Sequence, residues 1–154
     1  MVLMSDLDAK DLAIIKILAS NARTPITHIA RELGISDVAV KKRIEKLERG
    51  GVITGYSVLV SPRKLGFNSV AYVCIDVDAD KLFNVASYLA NEDYVTFLAL
   101  TSGDFKILAE VWARNSNELG AILSNISKIE GIRSLHPLIL LDVIKERQSL
   151  PKML

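Results

Sequence analysis

Residues 24–48 permit few folds other than two short helices joined by a tight glycine turn. Thr24 suits the N-cap of the first helix, and Pro25 suits its first turn, where a missing N–H does no harm. Ile26, Ile29, Ala30 and Leu33 then recur at helical spacing. Gly34 fits the residue after that helix, a position that often requires positive φ. Ser36 suits the N-cap of the second helix, whose Val40, Ile44 and Leu47 stand at i, i+4 and i+7 and face inward. That leaves Asp37, Val38, Lys41, Lys42 and Lys46 pointing outward, with Arg43 at the flank. A helix held this way enters the DNA major groove with its N-terminal half at the base edges and its cations near phosphates. The candidate DNA contacts are therefore Ser36, Asp37, Val38, Lys41, Lys42, Arg43 and Lys46. Spacing alone also permits a helical hairpin with a solvated basic face.

The flanking sequence favours the first reading. Glu48, Arg49, Gly50 and Gly51 end the helix, and Val52, Ile53, Thr54, Gly55 and Tyr56 read as a short strand, the order of a small winged module. Upstream, Asp8 offers a cap and Asp11 a carboxylate three residues later, with Leu12, Ile15 and Leu18 following at apolar spacing. Three helices and a wing bury a small core of their own.

These residues resemble a known family. Leu7, Asp8, Asp11, Ile15, Leu18 and Asn21-Ala22-Arg23, then Ile29-Ala30, Leu33-Gly34-Ile35-Ser36, Val40, Arg43-Ile44, Leu47-Glu48, Gly51-Val52-Ile53 and Gly55-Tyr56 look like the amino-terminal domain of the leucine-responsive regulatory protein (Lrp/AsnC, feast/famine) family of prokaryotic transcription regulators. The resemblance runs from about residue 7 to residue 66. It implies a sequence-specific regulator that binds double-stranded DNA.

Composition is compatible with this. The 154 residues suit one domain or two small ones, and 50% hydrophobic residues suffice for a substantial core. A net charge of +1 excludes a generic polyanion binder. Residues 1–55 carry nine Lys/Arg against seven Asp/Glu, whereas residues 56–154 carry ten against eleven. The cationic excess lies at residues 41–49, where Lys41, Lys42, Arg43, Lys46 and Arg49 face only Glu45 and Glu48. A local patch on one helix suits a docked contact better than diffuse adhesion. The single cysteine excludes an intramolecular disulfide and fits a reducing cytoplasm. No apolar run approaches the roughly 18 residues of a membrane span, and the start lacks the basic end and apolar run of a signal peptide, so the expected location is cytoplasmic.

The organisation expected is α+β: a winged helix-turn-helix domain over residues 1–60, a hinge at 61–66, and a second domain over 67–154. Pro62 and Gly66 bracket the short basic hinge. Residues 69–77 are β-branched and apolar, a strand covered on both faces or nearly so. Residues 80–91 read as an amphipathic helix, 94–100 and 105–113 as strands, 116–131 as a helix capped by Ser116 and ended by Gly131, and 133–145 as a last strand. The order β-α-β-β-α-β is the ferredoxin-like plan, with two helices on one face of an antiparallel sheet. Val73, Ile75, Leu98, Leu100, Leu108 and Leu140 are too apolar to leave the other face in water, and a second subunit is the simplest cover.

This half also resembles the regulatory domain of the same family. That resemblance implies a dimer that often assembles into tetramers, octamers or larger discs, with a small effector, commonly an amino acid, bound where dimers meet. It places an effector site at the turn of Thr101, Ser102, Gly103 and Asp104, with Lys106 after it and with His136 and Pro137 on the last strand. Family members usually carry an aspartate where this chain has Lys106, and small hydroxylated residues where it has Leu135 and Pro137. Lys106 repels an ammonium and pairs with an acid, either a ligand carboxylate or a neighbour such as Asp104 or Glu110. The expectation is an effector that is anionic or unusually shaped, or regulation without one; the bland alternative is a Lys106 lying on the surface.

No catalytic arrangement competes. Cys74 sits in an apolar strand, where free cysteines are usually core. His28 and His136 have no ligand spacing between them, so no metal is expected. Gly50-Gly51 is a helix stop rather than a phosphate cradle. Two alternatives remain: an enzyme resembling siroheme decarboxylases in architecture, to which only His136, Arg114 and Arg133 are available for tetrapyrrole carboxylates, and a module whose sole task is assembly with related regulators.

Overall fold

The computed structural model describes residues 7–145 and 150–151. The outer ends of the two expected domains, residues 1–6, 146–149 and 152–154, lie outside the described residues. Of the described residues, one compact unit takes in residues 7–58 with 144–145 and 150–151, and a second spans Leu59–Val143.

The first unit holds α1 (Ala9–Ser20), α2 (Ile26–Leu33) and α3 (Asp37–Arg49). Asp8 caps α1 through a reciprocal box with Asp11: the Asp8 carboxylate accepts from the Asp11 amide at 2.8 Å, and Asp11 accepts from the Asp8 amide at 3.3 Å. Gly34 takes φ 63° between α2 and α3, where a side chain would be strained. Ser36 caps α3 by accepting from the Ala39 amide at 3.2 Å. Ile14, Ile29, Ala30, Val40 and Leu47 form the buried centre, ringed by Leu18, Ile26, Leu33, Ile44 and Val52.

Two local expectations fail here. Thr24 does not cap α2; its hydroxyl donates to the Asn21 carbonyl at 2.7 Å, and Pro25 stands at the cap position. Nor do residues 52–56 form a strand. The amides of Val52 and Ile53 instead close the end of α3 by donating to the Leu47 carbonyl, at 2.9 and 3.2 Å. Residues 54–60 run on without regular pairing, because a strand needs a neighbour to complete its hydrogen bonds.

The second unit is β1 (Ser69–Val77), α4 (Leu82–Ala90), β2 (Val95–Leu100), β3 (Ile107–Ala113), α5 (Ser116–Ile126) and β4 (Ile132–Ile139). The strands pair antiparallel in the order β2-β3-β1-β4. Alternation along β1 and β3 decides the faces. Ala71, Val73, Ile75 and Val77 and Ile107, Ala109, Val111 and Ala113 point into a core with Val85 and Leu89 of α4 and Leu119, Ile122 and Ile126 of α5. Val73, Ile75 and Leu98 therefore belong to the helix-covered core and not to the open face. By register the open face carries Tyr72, Cys74, Phe97, Ala99, Leu108, Glu110, Trp112, His136 and Leu138.

Element ends follow from partners. Leu140 donates its amide to Val70 at 2.8 Å, and β4 stops there rather than at residue 145 because β1 begins at Ser69. Asn115, not Ser116, caps α5, accepting from the Glu118 amide at 2.9 Å.

Candidate nucleic-acid interface and effector region

Val40 and Leu47 are fully buried, so the rotation of α3 about its axis is set by the core. Asp37, Val38, Lys41, Lys42 and Lys46 are exposed on the other side, beside the cap Ser36. Asp37 in the first turn and Lys46 and Arg49 in the last complement the helix dipole. Among the described residues, Lys41 and Lys42 have no hydrogen-bond or ion-pair partner, and their charge faces solvent.

Arg43, expected at the flank of this face, is engaged within the unit. Its guanidinium reaches back to α1, where one nitrogen donates to Asp8 Oδ2 and to Asp11 Oδ1, both at 2.6 Å. Lys46 Nζ also donates to Asp11, at 3.3 Å. Burial by itself raises the Asp11 carboxyl. The hydrogen bonds from Arg43, the Asp8 amide and Lys46 outweigh it and hold the group below the usual carboxylate range. Arg43 is correspondingly raised, first by Asp11 and then by Asp8. The side chain of Asp11 is wholly inaccessible and that of Arg43 is 28% exposed, so this is a structural clamp between α1 and α3. Arg43 is thereby turned toward α1, and Lys46 leans the same way.

In the second unit the turn formed by Thr101, Ser102, Gly103 and Asp104 is exposed. It is held by the Thr101 hydroxyl donating to the Phe105 carbonyl at 2.6 Å and the Thr101 amide donating to the Lys106 carbonyl at 2.9 Å. Gly103 adopts φ 108°, which a side chain there would strain. The Phe105 ring lies 4.8 Å from that of His136 at 53°, so the turn and β4 are brought together. Lys106 pairs with neither Asp104 nor Glu110. Its Nζ donates to Asp76 Oδ1 of β1 at 2.7 Å. That hydrogen bond, set against some desolvation, holds the Asp76 carboxyl below its ordinary range. Glu110 instead accepts from Trp112 Nε1 at 2.7 Å and from the Thr96 hydroxyl at 2.8 Å.

Sequence reasoning missed Asp76, although a lone acid at the end of an apolar strand, in phase with Tyr72 and Cys74, was a visible signal. Pro137 costs the sheet nothing. β4 is an edge strand, Leu140 directs its amide inward, and position 137 therefore directs its own outward. The three residues available for tetrapyrrole carboxylates are not gathered. Arg133 donates to Asp78 at 2.6 Å near the Val77 end of β1, whereas Arg114 follows Ala113, which pairs with Ser69 at the opposite end. Among the described residues no group of three or more His, Cys, Asp or Glu is arranged to hold a metal, and no helix is long and apolar enough to cross a membrane.

A helix-turn-helix unit presenting a basic face, joined to a ferredoxin-like unit, defines a two-part architecture that comparison with known proteins resolves further. Residues 7–48 match the AsnC-type helix-turn-helix domain, and residues 70–150 match the Lrp/AsnC ligand binding domain. The chain belongs to the Lrp/AsnC family of helix-turn-helix transcriptional regulators. It is 44% identical over 140 residues to the HTH-type transcriptional regulator LrpA of Pyrococcus horikoshii, covering 90% of this chain and 99% of that protein. It is 34% identical over 145 residues to the regulator FL11 of Pyrococcus furiosus, covering 94% and 96%. The solved structure of Escherichia coli AsnC superposes with a TM-score of 0.83 at 31% identity, over 92% of this chain and 96% of that one. A Neisseria meningitidis transcriptional regulator solved with L-Met shares the fold, with a TM-score of 0.86 at 21% identity over 94% and 96%.

Proposed function

We propose that this protein is a non-enzymatic, cytoplasmic, sequence-specific DNA-binding regulator that acts as a dimer or a higher assembly and responds to a small-molecule effector. One observation carries the DNA reading. Helix α3 is locked by its core and by the Arg43–Asp11 clamp, so that Ser36, Asp37, Val38, Lys41 and Lys42 are offered together, ready to enter a major groove. A dimer presents two such helices to a pseudo-palindrome whose half-sites lie about one helical turn, or a multiple, apart. Lys42→Ala and Lys41→Ala are each expected to weaken operator binding by roughly 1–3 kcal/mol where the lysine reads a base, with preference relaxed at one position. A lysine that touches phosphate alone weakens all sequences alike and flattens the dependence of log K on log salt by about 0.9 for each phosphate no longer neutralised. Titrations of operator and scrambled duplexes at several salt concentrations separate the two. Operator affinity untouched by both substitutions would overturn the groove-facing assignment.

The effector reading rests on the ligand-binding domain match and on the region around residues 101–106 and His136. Lys106 is already paired with Asp76, so among the described residues its charge is compensated before any anion arrives. A neutral amino acid, with its own paired charges, is the class expected to bind at a junction between subunits. Such a ligand at a hundredfold excess over its dissociation constant raises apparent stability by about 2.7 kcal/mol. Thermal-shift screening against amino acids and anionic metabolites, followed by calorimetry, is expected to select a neutral amino acid. A dicarboxylate whose binding disappears in Lys106→Ala overturns that choice.

A further inference from the structure

The exposed face of α3 holds one large apolar side chain. Val38 is 61% exposed, while Val40 and Leu47 on the same helix are fully buried. At about 100° per residue, Val38 stands roughly 160° from Val40 in one direction and Lys42 roughly 160° in the other. The two residues are one turn apart and form the crest of the helix farthest from the core. Because the core sets the rotation of α3, Val38 has no inward alternative.

What surrounds it narrows its use. Arg43, whose guanidinium fork would suit guanine, is held by Asp8 and Asp11. Lys42 beside Val38 is a point charge with little geometric discrimination. A single exposed valine is ordinary on a general protein surface. On the leading turn of a groove-facing helix it meets a particular chemistry, since the thymine C5-methyl is the apolar group among the base edges of the major groove.

We propose, building on the DNA-binding reading above, that Val38 is a base-reading residue. It packs against the C5-methyl of one thymine in each half-site and so specifies an A·T pair there. The test starts from the duplexes that the whole protein enriches from a random-sequence pool. In an enriched operator each thymine is replaced in turn by deoxyuridine, which removes the methyl and leaves the hydrogen-bonding edges unchanged. One symmetry-related pair of thymines is expected to be methyl-sensitive, with affinity falling about fourfold per half-site, the worth of one methyl removed from water. Val38→Ala, which alters an exposed position, is expected to unfold at the wild-type temperature and to bind the thymine and deoxyuridine operators equally at that pair. Methyl discrimination that survives in Val38→Ala, or an operator in which no thymine is methyl-sensitive, overturns the role of Val38 while leaving DNA binding intact. A pool from which nothing is enriched overturns the DNA-binding reading itself, and this inference with it.

Discussion

Arg43→Ala is expected to destabilise the helical unit by about 3 kcal/mol, because removing the main partner of a buried carboxylate leaves that charge poorly compensated. The residue left behind is Asp11, whose side chain is wholly inaccessible and whose remaining cation, Lys46, lies at 3.3 Å. For a unit of this size the loss corresponds to a fall in unfolding temperature of more than about 10 °C. Hydrogen exchange in the whole protein is the suitable measurement, because amides of α1 and α3 report this unit without requiring both units to unfold together. The pH dependence has a definite sign. In the wild type the Asp11 carboxyl is held below its ordinary value, so its stabilising effect is present above the unfolded value and is lost as pH falls through the folded one. Without Arg43, burial, the largest influence on Asp11, is opposed only by the Asp8 amide and Lys46, and the carboxyl moves upward. The variant is then penalised at neutral pH and relieved on acidification. The gap between the two proteins is expected to be widest near pH 7 and to narrow toward pH 4 and below. Exchange rates in α1 and α3 that match the wild type at neutral pH would show that the clamp does not hold these helices together.

The same clamp marks where the sequence was legible and where it was not. Asp8, Asp11, Gly34 and Ser36 were readable because capping and left-handed turns are local, involving residues three or four apart. The helices of the first unit and the βαββαβ order of the second were readable from apolar periodicity. The partners of Arg43 and Lys106 were not foreseen because they lie 32 and 30 residues away in the chain. Helical spacing puts Arg43 at a flank, but only the packing of α1 against α3 brings Asp11 beneath it. Lys106 had acids two and four residues away in Asp104 and Glu110, yet the antiparallel register of β1 and β3 brings up Asp76 instead. The sheet faces were misjudged for a different reason. Residues 69–77 are apolar at nearly every position, so the period-2 contrast that separates inside from outside is faint. Val73 and Ile75 proved to lie under the helices, and Leu108 on the opposite face.

That open face gives the other large expected effect. Leu108 stands opposite Cys74 of β1 and Ala99 of β2, near the middle of a surface that also holds Tyr72, Phe97, Trp112 and Leu138. The acid beside it on β3, Glu110, is occupied by Trp112 and Thr96. A surface of this kind, on a sheet whose other face is already covered by α4 and α5, fits a second copy of the chain. In an isologous dimer Leu108→Glu places a carboxylate against apolar groups on both sides of the axis and beside Glu110, its neighbour on the same face. A charge desolvated without a partner costs several kcal/mol, and about 4 kcal/mol corresponds to a thousandfold weaker dimer. Leu108 is only partly buried within one chain, so each subunit retains its own core under the helices. Sedimentation at micromolar concentration is expected to show a dimer or larger assembly for the wild type and monomer or aggregate for the variant. A wild-type protein that sediments as a stable monomer, or a Leu108→Glu protein that assembles like the wild type, would place the subunit contact elsewhere.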